Sequence, residues 1–439
     1  MLRASLLGEM SSMKHAVWVA TCLYLVVFDA SAVQIKYVSP ARASPLVQAA
    51  LQGNDAVLDA YAERNPYPVL KAFAAATAAR ARYDLVASET KAAECYGLAK
   101  SSQPAEMNTL MACGELHVGN ALLAGRFKDW TIEAAHARRD LYPLLPKVAG
   151  VELRDAALES PDAAAFAQWP APTYDRSKTG GILKATGPAL SGFTGLISVK
   201  ARANGVELTL LVDTGTQMTV LSREDAKRVN ARQSSETVME VAPSQVAKSV
   251  AVKAALLGSL NLGAFRVGDA NIGVWDQPFS VLGMDILRQL PGPLRLSRQA
   301  LAFGGPTLPS TCTGRIALHS ELGARPAQIF LTGTVDGIAK EFMVDTGNNG
   351  GVTRRALPGE APGKSIDVMS VAGPTEVKSS ITSQSVGLGH TAMTEQVRVV
   401  TGDMAADYIL GAGVLSAERT LWLSFDDQRG CVLPTEAAE

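Results

Sequence analysis

Excess charge of either sign, histidine and long apolar runs are all scarce in this chain of 439 residues. Its 41 Lys and Arg against 42 Asp and Glu leave a net charge of −1, and the cations are scattered. No basic stripe of the kind a phosphate backbone demands is present, so nucleic acid is not an expected partner. The five histidines show no metal-ligand spacing. There is no His-Glu-x-x-His, no glycine-rich phosphate loop and no nucleophile elbow, so neither a metal nor any other cofactor is expected. The most apolar N-terminal stretch, Ala16 to Phe28, is well short of the roughly 20 residues that span a bilayer. Met13-Lys14-His15 precede it and Ala30-Ser31-Ala32 follow it. This is the pattern of an export signal over residues 1–32, with Val33 as the mature start and a periplasmic or secreted product that keeps no stable membrane span.

Cysteine is also sparse, at five. Removal of the signal takes Cys22 and leaves four, an even number in an oxidising compartment. Cys95 and Cys113 lie in the first region of the chain, and Cys312 and Cys431 bracket the last. Grouping by region pairs Cys95 with Cys113 and Cys312 with Cys431, although four cysteines allow three pairings and free buried thiols are the alternative.

What the chain does have is length and apolar content for about three domains, with 47% hydrophobic residues. Residues 41–168 are rich in alanine, leucine and charged residues at helical spacing, with Met107, Leu110, Met111, Val118 and Leu122 on one stripe. This region reads as an α-helical domain with helix starts near Pro66-Tyr67-Pro68 and Ser102-Gln103-Pro104 and a turn at Gly125-Arg126-Phe127. A partner or substrate platform, or a propeptide-like cover, are the roles open to it. Residues 169–185, from Trp169-Pro170-Ala171-Pro172 through Gly180-Gly181, read as a linker.

The remainder repeats. Asp213-Thr214-Gly215 follows the run Leu208-Thr209-Leu210-Leu211-Val212, and Asp345-Thr346-Gly347 follows Phe342-Met343-Val344. Each aspartate stands eight residues after the glycine of a hairpin dipeptide, Asn204-Gly205 or Asp336-Gly337. Beyond each come a Leu-Gly pair (Leu262-Gly263, Leu388-Gly389), an apolar strand carrying Leu-Gly (Val281 to Leu287, Ile409 to Leu415) and a Leu-x-Leu-Ser tetrad (Leu294 to Ser297, Leu421 to Ser424). Landmarks in one order indicate internal duplication. A lone Asp-Thr-Gly is ordinarily a surface turn, but two in matching frames suggest one shared acid-base site. For Gly283 and Gly411 the expectation is close strand packing.

On these motifs the region from about 190 to 430 resembles the pepsin and retropepsin group of aspartic proteases. The resemblance implies a multidomain α+β chain: the N-terminal α-helical domain followed by an all-β bilobal acid-protease fold. Its lobes would span 186–303 and 315–435, joined by an interlobe connection over 304–314. It implies a catalytic pair, Asp213 and Asp345, with Thr214 and Thr346 bracing the loops and Gly215 and Gly347 shaping the turns. At the next position the family commonly has serine or alanine, where this chain has Thr216 and Asn348. Hairpins that cover the cleft are expected around Ala242-Pro243-Ser244 and Ala372-Gly373-Pro374, without the tyrosine typical of pepsins. The implied activity is hydrolysis of a peptide or protein substrate by a monomer, since the short connection favours pairing of the halves within one chain. A non-catalytic peptide-binding protein that retains the cleft is the alternative.

Overall fold

Helix starts in the first region follow local chemistry. The computed structural model describes residues 34–40, 44–102, 106–176, 180–186, 195–241, 250–360, 363–370, 373–389, 392–401 and 404–434, so the expected signal segment and Cys22 lie outside the described residues. Pro45 and Pro68 open helices Pro45–Leu51 and Pro68–Ala81, where the missing N–H has no intrahelical partner to lose. Asn54 and Asp84 cap Asp55–Arg64 and Leu85–Ser101 by accepting from the N–H of Val57 and Ala87 at 3.2 and 3.0 Å. Met107–Leu123 and Phe127–Leu141 complete the group, with Gly125 at φ 69° in the turn between them. Leu110, Met111, Val118 and Leu122 of the apolar stripe are buried, and Met107 packs partly buried beside them. Cys95 and Cys113 join two neighbouring helices with their Cα atoms 5.6 Å apart. The region is not wholly helical: Gln34–Val38 pairs in parallel with Val151–Asp155, an addition that the helical spacing gave no reason to expect. Among the described residues no helix is long and apolar enough to cross a membrane.

The linker expectation for 169–185 is corrected. Thr173–Asp175 joins the sheet beside Phe265–Trp275, and Gly180–Thr186 pairs with both Ala300–Gly304 and Ser198–Ala203. The two glycines that suggested a loop make room for an aromatic neighbour. A Cβ on Gly181 would come within 2.7 Å of the Phe303 ring, and one on Gly180 within 2.8 Å of the Phe303 carbonyl.

The duplication is visible strand by strand. Ser198–Ala203 and Val206–Val212 form a hairpin over Asn204-Gly205, both at positive φ, and Ala327–Val335 and Ile338–Asp345 do the same over Asp336-Gly337. In each half the strand that ends at the aspartate runs parallel to the Leu-Gly strand, Val206–Val212 with Ser280–Leu282 and Ile338–Asp345 with Tyr408–Gly411. That strand is flanked on its other edge by Val220–Ser222 or Val352–Arg355. The apolar Leu-Gly runs are shorter strands than their composition suggests: past each glycine the chain turns into a helical piece, Met284–Leu287 or Ala412–Val414. Each half also carries an antiparallel hairpin, Arg232–Val241 with Val250–Leu262 and Lys364–Ser370 with Gly373–Gly387. Residues 242–244 and 372 of the expected tips lie outside the described residues.

A six-stranded antiparallel sheet unites the halves, in the order Gly180–Thr186, Ala300–Gly304, Leu294–Leu296, Arg419–Ser424, Arg429–Pro434, Gly314–Ser320. At its centre the two Leu-x-Leu tetrads pair with each other, Leu294 with Leu423, Arg295 with Trp422 and Leu296 with Leu421. The four leucines are buried, and the Arg295 guanidinium lies 5.4 Å from the Trp422 ring centroid. Cys312 and Cys431 are bonded beside Trp422.

The helices seat on the β region through close backbone contacts and a buried arginine. Arg80, 3% exposed, donates to Asn120 Oδ1 at 2.8 Å, to the Leu322 carbonyl at 2.6 Å and to the carbonyls of Glu321 and Leu116. Arg315 reaches Asp55 at 2.6 Å, and the Arg325 guanidinium stacks 5.4 Å over Trp130. A Cβ on Gly53 would meet the Leu318 carbonyl at 2.5 Å.

Candidate active site

Each Asp-Thr-Gly loop is delivered by its hairpin to the seam between the halves, and the two are held there by reciprocal bonds. The Thr214 N–H donates to Thr346 Oγ1 at 3.0 Å and the Thr346 N–H to Thr214 Oγ1 at 3.1 Å. Each hydroxyl then donates across to the strand before the other aspartate, Thr214 to the Val344 carbonyl and Thr346 to the Val212 carbonyl, both at 2.8 Å. Both threonines are 1% exposed. Every donor and acceptor at this crossing is satisfied without water.

Asp213 and Asp345 come within hydrogen-bonding reach of each other. The glycines make this possible: a Cβ on Gly215 would lie 2.5 Å from Asp345 Oδ1, and one on Gly347 would lie 2.5 Å from Asp213 Cγ. Their N–H groups point at the carboxylates, Gly215 to Asp213 Oδ1 at 2.8 Å and Gly347 to Asp345 Oδ1 at 3.1 Å. Gly283 and Gly411 pack as expected, since a Cβ there would strike the Met218 or Gly350 backbone.

The pair is not symmetric. Thr216 Oγ1 donates to Asp213 Oδ2 at 2.6 Å, while Asn348 turns into its own loop, its Oδ1 accepting from the Gly350 N–H at 2.8 Å. Asp213 is 9% exposed and Asp345 partly buried. Burial first, and then the adjacent Asp213 charge and hydrogen bond, push Asp345 well above the ordinary carboxylate range. Of the two, Asp345 is the member whose protonated form its surroundings favour.

All eight residues that the sequence singled out for this site meet here: Asp213, Thr214, Gly215, Thr216, Asp345, Thr346, Gly347 and Asn348. The four cysteines do not; they form the two bridges Cys95–Cys113 and Cys312–Cys431 elsewhere. Sequence reasoning missed Asp285 and Thr219, which bond to each other beneath the first loop. The available signal was a carboxylate inside an apolar run immediately after Leu-Gly.

Among the described residues no cluster of His, Cys, Asp and Glu is arranged to hold a metal ion.

Residues 199–289 match the family described as gag-polyprotein putative aspartyl protease. None of the curated proteins matches the chain. Among solved structures, a retropepsin-like aspartic protease from Rickettsia conorii is 19% identical, covering 30% of this chain and 93% of its own, with a TM-score of 0.22. The EIAV protease complexed with an inhibitor is 20% identical over 23% and 91%, with a TM-score of 0.19. Basic 7S globulin from soybean is 12% identical over 60% and 97%, with a TM-score of 0.35. The family match falls on the first Asp-Thr-Gly half, and the second half repeats the strands and loop of the first.

Proposed function

We propose that the protein is an exported aspartic endopeptidase that hydrolyses peptide bonds with a water activated between Asp213 and Asp345. The observation that carries this reading is the contact of two carboxyls, each cradled by an equivalent loop, with one held protonated. A base and an acid side by side are what amide hydrolysis without a covalent intermediate requires. Asp213 takes a proton from the water; Asp345 donates its proton to the carbonyl oxygen, and the pair exchanges roles as the amine leaves. Thr214 and Thr346 fix the distance between the carboxyls, and Thr216 fixes the orientation of Asp213.

Two disulfides fit an oxidising compartment, in keeping with the N-terminal signal pattern and a periplasmic or secreted location. Because the central sheet pairs the halves within one chain, a monomer suffices for the site. The division into a helical domain and two lobes belongs to the same reading, with the helical domain as a fixed part of the enzyme. Its buried Arg80 and the glycine contacts support that role over a removable cover.

The test is a peptide-cleavage assay from acid to neutral pH with the wild type, Asp213→Asn and Asp345→Asn. Cleavage by the wild type that both substitutions abolish is the expected result. Peptide binding without pH-dependent cleavage would instead establish a binding protein.

A further inference from the structure

One buried carboxylate forms a set of bonds that the chemistry above does not use. Asp285 is 8% exposed and lies in the short helix Met284–Leu287. Its Oδ1 accepts from the Thr219 N–H at 2.8 Å, the Thr219 hydroxyl at 2.7 Å and the Ile286 N–H at 2.9 Å. Thr219 Oγ1 in turn accepts from the Gly283 N–H at 3.1 Å. Bonds also run the other way, because the N–H groups of Met284 and Asp285 donate to the carbonyls of Thr216 and Gln217 at 2.8 and 2.9 Å. One helical turn thus grips the first loop by its acceptors and its donors, with Thr216 held between these bonds and its own bond to Asp213.

The second half has no such device. Gly413 stands where Asp285 would be and Gly351 where Thr219 would be, and the turn meets the loop through backbone bonds: Ala412 N–H to Asn348 at 2.7 Å, Gly413 N–H to Gly350 at 2.7 Å and Gly411 N–H to Gly351 at 2.9 Å. The gripping turn is also anchored in the helical region. Arg288, at its end, donates to the Leu123 carbonyl at 3.2 Å and lies 5.5 Å over the Tyr83 ring. Tyr83, Tyr174 and Arg288 are the ionisable groups that act on Asp285, with Arg176 beside Tyr174 and Arg288.

We propose that Asp285 is a positioning residue for Asp213: through Thr219 and the backbone of the helical turn it holds the first loop so that the Thr216 hydroxyl stays on the Asp213 carboxylate. The second half has glycine at both equivalent positions, so its following turn meets the loop of Asp345 through backbone bonds. The proposal rests on the peptidase reading for its kinetic consequence but not for its structural one.

The experiment compares Asp285→Ala and Asp285→Asn with the wild type, by peptide cleavage and by hydrogen exchange of amides 213–219 against 345–351. Alanine removes the acceptor and is expected to lower kcat about tenfold or more with KM within about threefold, as misplacement of a reacting group does. Asparagine keeps an oxygen acceptor, and rescue to within about threefold of wild-type kcat is expected. In the alanine variant the amides of 213–219 exchange faster while those of 345–351 do not change. Equal loosening of both loops, or alanine and asparagine variants equally impaired, would overturn the proposal in favour of a general stability role. If the alanine variant does not fold, Thr219→Val removes the two bonds of the Thr219 hydroxyl, to Asp285 and from the Gly283 N–H, and carries the same expectations. A wild type that cleaves nothing, with exchange still raised only in 213–219 of the alanine variant, would sink the peptidase reading and uphold the positioning role. A cleaving wild type with an alanine variant unchanged in kcat would do the reverse.

Discussion

Thr214 and Thr346 each receive the other's N–H on their hydroxyl oxygen, at 3.0 and 3.1 Å, while donating that hydroxyl into the opposite strand. This crossing makes the two loops one rigid object, because neither threonine can move without leaving buried groups of the other half unpaired.

Replacing either threonine by valine keeps its volume and removes its hydroxyl. We expect a loss of about 1–3 kcal/mol per substitution, from the buried N–H and carbonyl left without partners, together with reduced cleavage. Serine, which retains the hydroxyl, should preserve most of both. Denaturant unfolding of the four variants decides this, and valine variants as stable as the wild type would contradict the crossing.

The dyad itself is expected to carry activity at the expense of stability. Asp345→Asn should lower kcat/KM by a factor on the order of 10² to 10⁴ without lowering the unfolding midpoint at neutral pH, since it removes a carboxyl whose ionisation is opposed by burial and by Asp213. A variant both inactive and unfolded would point to a structural role instead.

Stability should rise on mild acidification. Burial pushes Asp155 and Asp285 up to about 6 each, and Asp345 is raised as well. Groups raised in the folded state contribute stability that is fully present below their unfolded value, near 3.8, and is lost as pH rises through about 6. Glu360, held down to about 2 by Arg354, works in the opposite direction and loses its contribution only in stronger acid. The melting temperature is therefore expected to be higher near pH 5 than near pH 7.5, by an amount that Asp285→Asn diminishes. A flat or reversed profile between these values would refute the assignment.

The two disulfides should differ in weight. Cys312–Cys431 closes a sequence separation of 119 residues and Cys95–Cys113 one of 18. In the chain-entropy model these correspond to about 5 and about 3 kcal/mol. Denaturant midpoints of the double serine variants, Cys312→Ser with Cys431→Ser and Cys95→Ser with Cys113→Ser, should fall in that order.

Much of the site was legible in the chain because it is local. An aspartate eight residues past an Asn-Gly or Asp-Gly turn emerges at the end of the returning strand wherever that hairpin forms, and the motif written twice announced two such ends. Grouping cysteines by region also named the bridges that form. Less legible was anything that depends on a distant neighbour. Gly180-Gly181 looked like a linker because glycine disfavours strands, yet beside Phe303 the missing side chains are what let the strand fit.

The sequence by itself therefore determined the duplicated hairpins, their carboxylates and the register of landmarks around them, since turn chemistry and side-chain alternation act over a few residues. Only the tertiary structure decided that the two Leu-x-Leu strands pair with each other, that Asn348 turns inward while Thr216 reaches Asp213, and that Asp285 grips one loop alone. Those outcomes depend on which groups meet across long separations, where burial and the need to pair every polar atom make the choice.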